Sequence, residues 1–250
     1  MASDPNDNIY RRAAEFLQDT DSLFVMTGAG ISAESGIPTF RGANGLWRKY
    51  SVQDLATPDA FARDPTLVWE WYRWRQDIIL RAKPNAAHHA LVRLERRIGN
   101  FLLLTQNVDD LHRRAGTRNL REIHGNIFRT KCSRCGAKQD SADVRSVRDS
   151  LPRCTCGGLL RPDVIWFGEI IPSDVWNEAL TFLVTAGVAL FCGTSGVVWP
   201  AAGVPEIAIR QGLKTIEINP EPTPISEIVH VSVRAKAGTA LPEILRFLSH

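Results

Sequence analysis

The sequence predicts an α/β fold: a parallel sheet with helices on both faces, carrying a second and smaller lobe. Three observations lead there. Apolar runs without polar alternation recur along the chain, as strands buried on both faces require. Segments of helical periodicity lie between them, which is the alternation that builds a parallel sheet. Two stretches break that alternation. One is rich in Trp and Arg, and the other holds four of the five cysteines.

Taken in order, an amphipathic helix over Ile9–Leu17 leads into a first strand, Leu23–Thr27. That strand stops at Gly28-Ala29-Gly30, the start of a G-x-G-x-x-A pattern ending at Ala33. In such a turn the first glycine allows a tight reversal and the second lets backbone approach a pyrophosphate. A small third residue lets the following helix pack close, and its first amides face phosphate. The sheet is therefore expected to be Rossmann-like. The acidic ribose-binding residue that normally follows is missing, because the chain enters the Trp-rich insertion instead.

Within that insertion a helix is expected over Thr66–Arg81, and Trp69, Trp71 and Trp74 cannot all face one side of it. Next come a helix over His88–Ile98 and a strand over Phe101–Thr105. Gln106 and Asn107 at its carboxyl end offer amides that can orient ribose hydroxyls or a water, and Asp110 suits a helix N-terminus. A short strand-like segment precedes His124. After the cysteine segment a helix spans Asp174–Ala186 and a strand spans Val188–Cys192. That strand ends in Gly193-Thr194-Ser195, where a glycine allows close approach and two hydroxyls can bond phosphate or ribose. Thr215–Ile218 and Val229–Val233 complete the sheet, and Cys192 reads as a small core residue. Several polar clusters thus fall at one sheet edge and outline a crevice. Residues 1–35, 88–127 and 161–250 are assigned to the Rossmann-like domain, and residues 36–87 and 128–160 to the small lobe.

Cys132-x-x-Cys135 and Cys154-x-Cys156 suit a tetrahedral thiolate site. Four thiolates leave no open position, so a structural zinc is expected, tying together a ribbon too small to hold itself. Gly136 and Gly157 follow the two pairs and help turn backbone amides toward sulfur. A nucleic-acid zinc ribbon is the rival for this segment. Its basic residues would be Arg129, Lys131, Arg134 and Lys138, with no aromatic interleaved. The whole chain carries 30 basic against 27 acidic residues, a net charge of +3. That is too little to argue for nucleic acid or membrane binding from charge alone. No apolar run reaches membrane-spanning length, and the first residues do not form a signal peptide. A cytoplasmic monomer is expected.

The motifs "GAGISAESGIPTFRG", "TQNVDDLH", "EIHGN", "RPDVIWFGE", "GTSGVVWP" and "INPE" stand in this order together with the cysteine module. In this respect the chain resembles the sirtuin family of NAD-dependent protein deacylases, over nearly its whole length. The resemblance implies NAD as cofactor, with Gly28, Ala29, Gly30 and Ser32 in the binding turn and Phe40 and Arg41 closing over the nicotinamide ribose and phosphates. It adds Gln106, Asn107 and Asp109, the last accepting from the nicotinamide carboxamide, and Gly193, Thr194 and Ser195. Asn219, Glu221 and Ala237 would hold the adenosine end. By the same resemblance His124 is the catalytic base, although a lone histidine is more often structural, as His88, His89 and His112 are expected to be. An acyl-lysine peptide would lie between two extended segments, Val164–Glu169 and Gly196–Pro200. Val164, Phe167, Gly168, Glu169 and Val198 would touch it.

Tyr72 and Arg75 are three residues apart and so share one helix face. Arg presents a planar fork of donors to a carboxylate and Tyr a hydroxyl. Such a pair on a solvated face would mean nothing, and Arg73 is read as solvated. A Tyr-x-x-Arg here, with Ala56 leaving room, resembles the class III branch of the family. That implies removal of succinyl, malonyl and glutaryl groups, and weakly acetyl, giving nicotinamide, free lysine and 2′-O-acyl-ADP-ribose. A plain deacetylase, an ADP-ribosyl transferase and a non-catalytic NAD- or acyl-lysine-binding module stay open.

Overall fold

The computed structural model describes residues 7–40, 51–140 and 150–248. Among these residues, three strands come first: β1 (Ser22–Thr27), β2 (Asn100–Thr105) and β3 (Leu120–Glu122). The next are β4 (Gly125–Cys132), β5 (Lys138–Asp140) and β6 (Leu160–Val164), and the last are β7 (Val188–Cys192), β8 (Lys214–Ile218) and β9 (Val231–Val233).

Six of them form one sheet in the order β3-β2-β1-β7-β8-β9, every pair parallel. Counting only its own strands, this is the doubly wound order 3-2-1-4-5-6, and the chain changes direction between β1 and β7. The apolar runs that announced these strands have the expected cause. All six residues of β1 and all five of β7 are buried. Leu23 and Val25 point into one face, where Leu91, Leu103, Leu190 and Leu241 meet them. The helices Asp7–Gln18, Ala86–Arg97 and Ala237–Arg246 cover that side. Phe24 and Met26 point the other way, against Leu102, Phe191, Leu183 and Ala208, beneath the helices Ser173–Leu183 and Val204–Arg210. Each large side chain so enclosed stabilises the fold by ~1.5–3 kcal/mol.

A second, three-stranded sheet pairs β4 antiparallel with both β5 and β6. Against it lies the helix Pro65–Arg81, started by the Asp64 carboxylate accepting from the Leu67 amide at 2.9 Å, with Pro65 in the first turn. Val68, Trp69, Ile79, Ile127, Leu160 and Trp166 share a separate core here. Trp69 and Trp71 are buried while Trp74 is exposed, as three positions around one helix require. Arg73 is partly exposed and donates to the Ser150 carbonyl. Among the described residues no helix is long and apolar enough to cross a membrane.

Candidate active site

The carboxyl ends of β1 and β7 interlock, and this explains the glycines better than a ligand does. The Gly30 amide donates to the Gly193 carbonyl at 2.8 Å. A Cβ on Gly30 would sit 2.8 Å from the Gly193 Cα, and one on Gly193, whose φ is +61°, would meet the Ile31 nitrogen at 2.4 Å. Both positions therefore need glycine for backbone against backbone, a reason the sequence did not reveal. The helix that follows is a single turn, Gly30–Ala33. Its Gly30, Ile31 and Ser32 amides donate to the carbonyls of Gly193, Gly28 and Ala29, so they do not face a phosphate. Ala33 is exposed and lies on the cavity wall, where it does not serve close helix packing.

Above these ends opens a cavity of about 1130 Å³. Gly28, Ala29, Gly30, Phe40, Gln106 and Asn107 line it, as do Gly193, Thr194, Ser195, Asn219, Glu221 and Ala237. Ser32 and Asp109 stand behind that wall. The Asn107 side-chain amide donates to the Gly28 carbonyl at 3.1 Å and to Ser32 Oγ at 3.2 Å. Ser32 Oγ in turn donates to Asp109 Oδ2 at 2.7 Å, and the Leu111 amide donates to Oδ1 at 3.0 Å. Burial pushes the Asp109 carboxyl up, against the pull of the Ser32 hydroxyl. At the other end Gln106 Nε2 donates to Thr194 Oγ1 at 3.0 Å and Asn219 Nδ2 to the Thr194 carbonyl at 2.8 Å. Arg41 lies outside the described residues. Glu34 also lines the cavity and accepts from the Gly238 amide at 2.7 Å, at the start of the last helix. Nothing in its sequence context marked it.

His124 follows β3 and reaches the cavity between the two sheets. Its Nδ1 donates to the Gln106 carbonyl at 2.9 Å. In the neutral ring that leaves Nε2 as an acceptor. Burial holds the imidazole below its ordinary pKa, with the Gln106 carbonyl pulling the other way. The result is a neutral base with a fixed tautomer. His88 and His112 are structural: both are buried, with ring centroids 4.8 Å apart, and His112 Nε2 lies 2.9 Å from Thr27 Oγ1.

Tyr72 and Arg75 do lie on a buried helix face and line the same cavity with Ala56. Arg75 is 4% exposed, and its Nη1 has no hydrogen-bond partner among the described residues. Its guanidinium sits 4.3 Å from the Phe40 ring centroid and 5.1 Å from that of Trp71. Burial brings its pKa down to about 10. The Tyr72 phenol, pushed up to about 12 by burial, accepts from Trp166 Nε1 at 2.8 Å. Val164, Phe167, Gly168, Glu169 and Val198 line the cavity too, but the two segments that carry most of them are not extended. Gly168 at φ +87° and Gly196 at φ +66° reverse the chain, and Glu169 N closes a turn onto the Trp166 carbonyl at 3.0 Å. Those two glycines were the sequence signal against extension. Glu169 is also committed inside the protein: Arg161 Nη1 and Nη2 donate to its two oxygens at 2.6 and 2.8 Å, and the Trp166 amide donates at 2.8 Å. Arg161 thereby holds this carboxyl low despite its burial.

In the second sheet the four sulfurs of Cys132, Cys135, Cys154 and Cys156 all lie within 4.8 Å of one another. Cys132 and Cys156 are 3.5 Å apart and Cys135 and Cys154 3.8 Å. A tetrahedral zinc with bonds of ~2.3 Å sets its sulfurs about 3.8 Å apart, so the donor set fits. Gly136 and Gly157 take positive φ, at +74° and +87°. Amides aimed at sulfur include those of Arg134 and Cys135 on Cys132, Ala137 on Cys135, Cys156 on Cys154 and Gly158 on Cys156. The basic residues of the rival ribbon are engaged within the protein. Arg129 pairs with Glu122, Lys131 with Glu169, Lys138 with Asp163, and Arg134 donates to the Cys156 carbonyl.

Comparison with known proteins agrees with this geometry. The profile of the Sir2 family matches residues 28–200. An NAD-dependent protein deacylase of Thermococcus kodakarensis is 51% identical over 240 residues, covering 94% of this chain and 93% of its own. One from Thermus thermophilus is 48% identical, with 92% of each chain covered. Among solved structures, a Sir2 homologue in complex with NAD superposes with a TM-score of 0.89 at 45% identity, covering 95% of this chain and 93% of that one. A Sir2 complex with a p53 peptide and NAD+ gives 0.86 at 33%, covering 94% and 96%. Sharing its fold with these structures, and half of its residues with proteins of matching length, the chain belongs to the Sir2 family.

Proposed function

We propose that the chain is an NAD-dependent protein-lysine deacylase whose pocket prefers acyl groups ending in a carboxylate: succinyl, malonyl and glutaryl ahead of acetyl. Family membership supports the first half, since the relatives above carry that activity in their names. One observation carries the second half. Arg75 is a buried guanidinium on the cavity wall with an unpartnered Nη1; the Asp109 carboxyl acts on it from behind that wall, but no ion pair to it is found among the described residues. A buried, unpaired charge is costly, and it is retained where a ligand supplies the counter-charge.

The cavity suits two substrates at once. It exceeds the ~300–1,000 Å³ typical of a pocket for one small ligand. Its polar lining suits a dinucleotide at one end, with the amide oxygens of Gln106, Asn107 and Asn219 and the Glu221 carboxylate to accept from hydroxyls, and the hydroxyls of Thr194 and Ser195 beside them. NAD bound there would supply the ribose carbon for attack by the acyl oxygen, with nicotinamide as leaving group. Phe40 lies over the Arg75 guanidinium, where the two substrates would meet, and Ser32 and Asp109 keep Asn107 oriented. His124 Nε2 accepts a proton from a ribose hydroxyl, its tautomer set by the Gln106 carbonyl. Arg75 and Tyr72 fix the far end of the acyl chain, and Ala56 leaves it room. With both partners so held, positioning supplies most of the rate. The protein substrate lies over the mouth, where Phe167, Gly168 and Val198 meet it.

Mass-spectrometric assay of an acyl-peptide panel, with and without NAD, tests the reading. Turnover should require NAD and run higher for succinyl, malonyl and glutaryl than for acetyl peptides. Acetyl turnover equal to succinyl would return the chain to a plain deacetylase.

A further inference from the structure

Trp166 is buried, at 2% exposure. The Arg161 guanidinium carbon lies 3.3 Å from the ring centroid, a stacked cation–π contact. Phe61 packs on the same indole with ring centroids 5.5 Å apart. The Trp166 backbone amide donates to Glu169, and Glu169 is clamped by both Arg161 nitrogens. Arg161 Nη2 also donates to the Val164 carbonyl at 2.7 Å. The indole has no freedom left, and its one polar group meets the Tyr72 oxygen at 2.8 Å.

The direction of that hydrogen bond decides what Tyr72 can do. An indole nitrogen only donates, whereas a phenol both donates and accepts. Tyr72 must therefore accept from Trp166, which leaves its own proton for another acceptor. With that bond in place the phenol oxygen already has its donor, and Arg75, one turn along the same helix face, keeps an unpartnered Nη1. A Trp at this place could be no more than a satisfied core residue. The stacked cation and clamped carboxylate instead fix the indole N–H against the Tyr72 hydroxyl.

Resting on the reading of Arg75 and Tyr72 as the receptor for an acyl carboxylate, we propose that Trp166 is the positioning residue for that selectivity, orienting the Tyr72 hydroxyl as a donor through its indole N–H and held by the Arg161–Glu169 pair. Trp166→Phe keeps an aromatic ring for Arg161 and Phe61 to pack on and removes the indole N–H, at the cost of part of the ring's volume. In the zinc-loaded enzyme with NAD, KM for a succinyl-lysine peptide should rise about tenfold, the value of one hydrogen bond to a ligand charge. Its kcat and both constants for acetyl-lysine should stay within about twofold, a range too small to reflect a lost bond. Tyr72→Phe should show the same selective loss, and adding Trp166→Phe to it should change nothing further. Arg161→Lys, which keeps the charge without the stacked plane, should move the succinyl KM the same way by a smaller factor. Equal losses on both peptides, or fully additive effects of the Trp166 and Tyr72 variants, overturn the role of Trp166 while leaving the acidic-acyl reading in place. A wild-type enzyme without succinyl preference removes both.

Discussion

Replacing Arg75 by Met should make the resting protein more stable and the enzyme far worse on one class of substrate. A guanidinium whose pKa falls from 12.5 to about 10 on burial carries a penalty of about 3 kcal/mol, at 1.36 kcal/mol per pH unit. Its contacts with Phe40 and Trp71 return about 1 kcal/mol of that. Met keeps the apolar stem and drops the charge, so the variant should gain about 2 kcal/mol, or about 4–8 °C in Tm for a chain of this size. With a succinyl-lysine peptide the missing partner leaves a desolvated carboxylate alone in the pocket. Losses of ~3–5 kcal/mol follow when one half of a buried pair is removed, so kcat/KM should drop at least ~100-fold. Acetyl-lysine has no carboxylate and should be affected by about threefold at most, under 1 kcal/mol. Thermal melts of the apo-protein, with steady-state kinetics on the two peptides side by side, read both effects. A destabilised variant, or equal losses on both peptides, would refute the reasoning, because each implies that Arg75 is a packing residue without an unmet charge.

Other consequences are separable. His124→Ala should abolish turnover with an unchanged melting curve. In the unmodified enzyme burial depresses this pKa, so kcat/KM should hold level through pH 6.5 and drop only below it; a decline centred above pH 7 would point to a different base. His88 is held down to about 4 and His112 well below 6.5, both by burial. From about pH 6.5 down toward pH 4 the unfolded chain therefore binds two protons that the folded chain refuses, and stability should fall by about 2.7 kcal/mol per pH unit. Urea titrations at stepped pH should show this slope, about halved in His112→Asn, and a flat profile would contradict it. Cys154→Ser should lose bound zinc and unfold the second sheet at lower temperature, whereas one equivalent of zinc retained by mass spectrometry would exclude the four-thiolate site.

The parallel sheet was legible because strands enclosed on both faces must be apolar throughout, as Leu23–Thr27 and Val188–Cys192 are. The second sheet was not. In β6, Arg161, Pro162 and Asp163 read as polar, yet all five residues of the strand are buried because Glu169, Arg129 and Lys138 neutralise the charges. The helix Ala237–Arg246 carries Pro242 in its interior, which reads as a breaker although packing on the sheet overrides it. Spacing placed Tyr72 and Arg75 on one face, but Trp residues on several sides of that helix hid which face was buried. The glycine turn was found, but one cause of it was not legible, because Gly193, whose backbone it meets, lies far along the chain. Ser32 sits on the single-turn helix after β1, and Asn107 and Asp109 in the loop after β2, so their hydrogen bonds across some seventy-five residues of chain had no linear signature.

The claim on which the acyl preference rests is that charge, rather than size, is what the pocket reads. The direct measurement compares kcat/KM of the wild-type enzyme for a succinyl-lysine peptide and for the same peptide with the terminal carboxylate replaced by its neutral amide. Nearly identical in size, the two differ by the charge that Arg75 awaits. The carboxylate should be favoured at least about 30-fold, or about 2 kcal/mol; equal turnover would contradict a charge-reading pocket.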